Sequence, residues 1–257
     1  MKTGIKSIAI GMSLLLIGTP GFLQCADGKG GAEHGHWSYE GGTGPENWGE
    51  LSEEFEACKM GKYQSPIDIK DATAADLPEL QLEYKDAGFE VVNNGHSIQV
   101  NLKDAGKLVI GEDAYNLLQF HFHHPSEAAV NGERFPLVAH FVHKSASGEL
   151  AVVGLLFRKG AVNESLSGIW SLMPGSADQT NPGEGTLNPT SIIQDASAYY
   201  TFKGSLTIPP CSEGVRWIVL KNPATISAEQ VDAFKKLYPM NARPIQPRNH
   251  REIQVSN

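Results

Sequence analysis

Two apolar stretches carry histidines in alternation with bulky apolar residues, and they constrain this chain more than any other feature. The first is Leu118-Gln119-Phe120-His121-Phe122-His123-His124-Pro125-Ser126-Glu127. The second is Leu137-Val138-Ala139-His140-Phe141-Val142-His143. Both are apolar enough for buried strands. Alternate side chains of a strand share a face. Gln119, His121 and His123 therefore point one way, and Phe120 and Phe122 the other. In the second stretch Val138, His140 and Val142 share a face. If the strands are neighbours, three imidazoles converge. Three neutral imidazoles plus one open position form the ligand set of a catalytic zinc, whereas a structural zinc is closed by a fourth protein ligand, often Cys. A lone inward His is more often a satisfied core residue. A buried His-x-His with a third inward His favours the metal.

The chain has 257 residues, 40% of them hydrophobic, which suits one sizeable core or at most two domains. A formal charge of −8 and a pI near 5.6 argue against nucleic acid as a partner. No internal repeat and no long low-complexity tract is visible. Lys2 and Lys6, a ten-residue apolar run over 8–17, and the break Gly18-Thr19-Pro20 read as a secretory signal. The run is short for a membrane span; an uncleaved anchor is the competing reading. The expected organisation is a signal over 1–26, a flexible lead-in over 27–34 and one domain over 35–257. The mature protein is expected to be exported, periplasmic or extracellular, with no transmembrane segment. A homodimer is compatible with the sequence.

Three cysteines are present, Cys25, Cys58 and Cys211. Export permits a disulfide. Cys25 falls in the cleavage region, to be lost or lipidated, although Gln24 before it suits lipidation poorly. Cys58 and Cys211 remain as a natural pair or as two free buried thiols.

The segment from Gly35 to Met60 is rich in Gly, Trp and Tyr and reads as irregular structure pinned by aromatics. His34 and His36 there suit solvent exposure better than a metal. Gln64-Ser65-Pro66-Ile67-Asp68-Ile69 reads as a turn into a short strand. Short alternating runs follow. Phe89 to Val92 and Ile98 to Leu102 flank Asn94-Gly95, a hairpin-turn signal. Further strands are expected over 107–110, 115–123, 137–143, 150–158, 199–210 and 215–220. Asn163 is expected to cap a helix running to about Met173. Ser227-Ala228-Glu229-Gln230 is a capping box opening a second helix. Many short strands, few helices and frequent Gly and Pro turns predict one β-dominated domain with peripheral helices.

The ordered blocks resemble an α-class carbonic anhydrase of the bacterial, exported kind. They are Trp37-Ser38-Tyr39, Gly44-Pro45-Glu46-Asn47-Trp48, Gln64 to Ile69, Asn93-Asn94-Gly95-His96, Gln119 to His123 and Pro125-Ser126-Glu127. They continue with His140 to His143, Gly204-Ser205-Leu206-Thr207, Pro209-Pro210-Cys211, Trp217 to Leu220 and Arg243 to Pro247. The fold this resemblance implies is β-dominated α+β: a large, mostly antiparallel, twisted ten-stranded sheet with short peripheral helices. It also implies Zn2+ held by His121, His123 and His140. Glu127 and Thr207 fall on a hydrogen-bonded pair beside the metal, and His96 on a proton shuttle. Gln119 and the backbone of Asn241 fall on the partners of His121 and His123. Val142, Val152, Leu206, Val215 and Trp217 fall on an apolar wall that receives carbon dioxide. Cys58 and Cys211 fall on the disulfide of the exported members. The implied reaction is reversible hydration of carbon dioxide to bicarbonate and a proton by a zinc-bound hydroxide; zinc brings bound water to a pKa of about 7, carbonic anhydrases being the reference case.

Five positions depart from the family's pattern. Val138 stands where Glu is usual and Ala128 where His is usual. Those two polar groups are partners, so losing both leaves no orphan. Ile208 follows Thr207 in place of a second Thr. Phe202 replaces a frequent Tyr behind Glu127, and Gln99 a frequent Asn. None removes a ligand. A second class of function is a non-catalytic binding module on the same fold, but members that have lost catalysis typically lack ligand histidines. A zinc hydrolase of another family lacks its motif here, since no His-Glu-x-x-His is present.

Overall fold

Burial alternates along the chain as a half-buried sheet requires. In the Asp113–His123 strand, Phe120 and Phe122 are fully buried on one face while His121 and His123 stand on the other. The computed structural model describes residues 35–256. The expected signal, the lead-in with His34, and Cys25 lie outside the described residues. Among the described residues no helix is long and apolar enough to cross a membrane.

The main sheet has 13 strands, ten of them along its principal path. Its centre runs Phe89–Asn93, Ile98–Leu102, Asp113–His123, Leu137–Ser145, Leu150–Lys159, Glu213–Leu220, Tyr199–Ser205. The fold is β-dominated with few short helices, as expected, and its ladders are mixed. Leu150–Lys159 pairs in parallel with Glu213–Leu220 and with Ala224–Ile226, and Gln254–Ser256 pairs in parallel with Thr73–Ala75. The parallel ladders arise because the chain leaves and re-enters the sheet through long crossovers rather than tight turns. A separate three-stranded sheet joins Asp68–Ile69, Ala129–Val130 and Glu133–Arg134.

The Leu150–Lys159 strand is buried over Ala151–Phe157, the continuous apolar run of a strand covered on both faces. One face carries the larger core. Phe120 stacks on Phe141 at 4.9 Å, and Phe122 meets Trp170 at 5.0 Å and Phe234 at 6.2 Å. Burying each such ring contributes roughly 2–3 kcal/mol. The helix Ala228–Leu237 closes this side, and Ser227 and Gln230 make the predicted reciprocal capping box. The opposite face carries a smaller apolar cluster containing Val138, Val152, Phe202, Val215, Trp217 and Val219.

Two local expectations fail. Asn163 does not cap the following helix, which is a 3-10 turn Glu164–Leu166 running into the short α-helix Ser167–Ser171. Its side-chain Nδ2 donates to Thr225 O at 3.0 Å, an orientation that leaves the capping oxygen, Oδ1, buried without a partner. The segment before Met60, read as irregular, contains the short helices Trp48–Leu51 and Ala57–Met60. The aromatics do pin it: Trp37, Tyr39 and Trp48 meet edge to face, and Trp48 Nε1 donates to Ser38 O and Thr43 O.

Candidate metal site

Register brings the three histidines together. Strands Asp113–His123 and Leu137–Ser145 are antiparallel neighbours, with His121 opposite His140 and His123 opposite Val138. Directly opposed residues share a face of the sheet. The pairing extends sideways as a transverse row of Gln99, His121, His140, Gly154 and Val219. A second row runs Asn101, Gln119, Val142, Val152, Trp217. Polar positions thus occupy one side of the three histidines and apolar positions the other.

One ligand nitrogen from each of His121, His123 and His140 lies within 4.8 Å of the other two. His121 Nδ1 donates to Gln119 Oε1 at 2.9 Å, and His123 Nδ1 to Asn241 O at 2.6 Å. Each bond places the proton on Nδ1 and leaves Nε2 with a free lone pair. His123 Nε2 is buried and has no partner. Burial first, then the neighbouring imidazoles, push His121 and His140 well below the ordinary histidine range. They are neutral at physiological pH, as metal binding demands. Three convergent imidazole nitrogens, one of them a buried atom without a partner, fit zinc with one open position.

Glu127 lies beside them, fully buried. Its Oε1 accepts the backbone N–H of Arg243 at 2.9 Å. Its Oε2 is 3.5 Å from His123 Nε2 and 3.7 Å from His140 Nδ1, without a hydrogen bond. The expected hydrogen bond between Thr207 and Glu127 is therefore not formed. Glu127 Oε2 is left without a hydrogen-bond partner, while Oε1 is held by the Arg243 backbone.

Thr207 is buried in the loop after Tyr199–Ser205. That loop is held at several points. Cys58 and Cys211 form a disulfide across 153 residues, and Gln64 Nε2 donates to Cys211 O. Gly204 enters the loop where a Cβ would come within 2.2 Å of Ser65 Oγ and 2.8 Å of the Trp217 ring, so only glycine fits. Val152, Val215 and Trp217 are buried in one apolar cluster, with Val142 and Leu206 packed against it. The Trp217 ring stands edge-on to His140 at 4.9 Å.

His96 sits on the Asn94-Gly95 turn, where Gly95 has φ +82°. Its ring stacks on Trp37 at 3.7 Å. Partial burial, then the nearby His36, lower its pKa, and Asp178 opposes them. Behind His140 a cavity of about 10 Å³ is lined by Ala128, Val138, Leu156, Phe202 and Val219 among others. Three of the five departures from the family pattern line this one cavity.

Two contributors escaped the sequence reading. Arg243 is buried at 1% exposure, donating to Gln64 Oε1, Ser65 O and Cys58 O while its backbone holds Glu127. Nothing local marks an arginine before a proline as buried. Tyr39 carries a buried hydroxyl with no partner; burial, then the charge of Glu127, raises its pKa well above the usual value. An aromatic in an irregular segment carries no sign of its direction.

The family model described as eukaryotic-type carbonic anhydrase matches residues 43–257. The chain is 44% identical over 219 residues to a carbonic anhydrase of Pectobacterium carotovorum, covering 85% of this chain and 90% of that one. It is 40% identical over 243 residues to a carbonic anhydrase of Neisseria gonorrhoeae, covering 94% of each. The solved structure of the α-carbonic anhydrase from Thermovibrio ammonificans with the inhibitor sulfanilamide superposes with a TM-score of 0.83 at 44% identity, over 89% of this chain and 100% of that one. This chain belongs to the eukaryotic-type, or α, carbonic anhydrase family. Its activity is zinc-dependent, reversible hydration of carbon dioxide to bicarbonate and a proton.

Proposed function

We propose that the reaction runs at the convergence of His121, His123 and His140, with the surrounding side chains dividing the remaining work. The observation that carries this is the trio of ring nitrogens within 4.8 Å, flanked by an apolar wall on one side and a polar one on the other. Zinc held by the three histidines supplies a Lewis acid that acidifies water to near neutral pH, carbonic anhydrases being the reference case. Gln119 and the carbonyl of Asn241 keep two of the rings in the tautomer that binds. Val142, Val152, Leu206, Val215 and Trp217 receive carbon dioxide, which is small and apolar and needs no charged clamp. Thr207 would orient the attacking oxygen by accepting a hydrogen bond from it. Its own O–H would donate a hydrogen bond to Glu127 Oε2, which has no other partner. Arg243 keeps that carboxylate anchored through Oε1.

The proton released must reach bulk buffer. His96 is the relay, because an imidazole can both take and release a proton and this one sits on the Asn94-Gly95 turn beside the polar wall. Its lowered pKa favours handing the proton onward. The Cys58–Cys211 bridge supports an exported mature protein, since such bonds persist in oxidising compartments.

Stopped-flow hydration of carbon dioxide by purified mature protein, with a zinc count, tests this reading. Activity is expected to vanish with chelator and return with zinc. A folded, zinc-loaded but inert protein would show a binding module on the same fold.

A further inference from the structure

The polar wall beside the metal site contains a chain of hydrogen bonds with a fixed direction. Asn101 Nδ2 donates to Glu90 Oε1 at 2.8 Å. Gln99 Nε2 donates to Asn101 Oδ1 at 2.7 Å. Asn94 Nδ2 donates to Gln99 Oε1 at 3.3 Å. Asn94 Oδ1 then accepts the backbone N–H groups of His96 at 3.0 Å and Ser97 at 2.7 Å. The register explains the geometry: Glu90 is opposite Asn101 and Gln99 is opposite His121, so the chain lies across neighbouring strands on the metal face.

An amide has one accepting end and one donating end, whereas an ionised carboxylate only accepts. Glu90, exposed at the rim, therefore decides which way Asn101 faces. Asn101 in turn decides the orientation of Gln99, and Gln99 that of Asn94. Only in this direction does Asn94 Oδ1 remain available to the His96 turn. We infer that Glu90 is a positioning residue for the proton relay, fixing the turn that carries His96 through three side-chain amides. This rests on His96 being the relay; the hold on the turn itself does not.

The experiment reverses the polarity of the chain. Glu90→Lys places a donor where the acceptor stood, so Asn101, Gln99 and Asn94 must each turn over, and Oδ1 of Asn94 leaves the turn. Glu90→Gln removes the charge but keeps an acceptor. Hydrogen exchange of the His96 and Ser97 amides is measured by NMR, beside hydration kinetics in weak buffer and in concentrated imidazole. In Glu90→Lys those two amides are expected to exchange several-fold faster. Turnover in weak buffer is expected to fall about 3-fold, the scale of one net hydrogen bond. Turnover in imidazole and kcat/KM should hold, and Glu90→Gln should restore both readouts.

Unchanged exchange in Glu90→Lys overturns the proposal. So does Glu90→Gln behaving like Glu90→Lys, which would make charge rather than direction the cause. The control is His96→Ala. If it slows weak-buffer turnover while Glu90→Lys does not, the link to the relay is wrong. If neither variant slows turnover but exchange rises in Glu90→Lys, the relay reading of His96 fails and the hold of Glu90 on the turn stands.

Discussion

His140 stands directly across the sheet from Gly154, and neither nitrogen of its ring has a hydrogen-bond partner among the described residues. His121 and His123 are each fixed by an oxygen, from Gln119 and Asn241. The three ligands are therefore not equally supported. Val138, two residues before His140 on the same face, accepts nothing, and the cavity behind the ring has room for about one water at most.

Zinc is accordingly expected to leave this protein faster than one whose third ligand has a carboxylate partner. Losing such a partner typically costs about 10–100-fold in affinity or activity. Val138→Glu alone would bury a carboxylate with nothing opposite it, at high cost. Val138→Glu with Ala128→His should supply both halves and slow zinc release to chelator by about 10-fold or more. Equal release rates from the parent and a folded double variant would refute the expectation.

Removing a ligand is a harsher test. His121→Ala, His123→Ala and His140→Ala should each abolish hydration and leave the protein with little zinc by elemental analysis. Full activity in any of the three would take that residue out of the site.

His96→Ala should lower turnover in weak buffer by up to about 100-fold, the lower end of general acid–base effects. The hydration step, read as kcat/KM, should be retained. Added imidazole should recover much of the loss by carrying the proton in place of the side chain. A loss that persists in concentrated imidazole would assign His96 another task.

His143 supplies a pH signature away from the metal. It is fully buried, accepts from Tyr84 Oη at 2.6 Å, and burial lowers its pKa to about 4. In the unfolded chain it titrates near 6.5. Between those values the unfolded state takes up a proton that the folded state refuses. Stability is fully present above pH 6.5, falls as pH drops towards 4, and levels below that. The contribution is on the order of 3 kcal/mol. Urea unfolding from pH 7 to 4 should show a shallower decline in His143→Gln than in the parent, whatever its stability at pH 7. Parallel curves would contradict the assignment.

Much of the fold and site was legible because it is written in local periods. The two-residue alternation around His121, His123 and His140 assigned their common face before any neighbour was known. The Asn94-Gly95 turn and the Ser227 capping box are likewise satisfied within a few residues of chain. The resemblance, carried by blocks in order along the chain, supplied the expected partners Gln119 and Asn241 and the Cys58–Cys211 pairing.

The tertiary structure alone decided where competing polar groups went. Asn163 turned its Nδ2 to Thr225 O and left its capping oxygen unpartnered. Glu127 could have met Thr207 and is held by Arg243, 116 residues away in sequence. Arg243 is buried because Gln64, Ser65 and Cys58 surround it with acceptors that no short window of sequence contains. A side chain's face follows from the backbone period, which is a property of a few residues. Its partner follows from which buried donors and acceptors remain once the whole sheet has closed, and that is settled only by the folded chain.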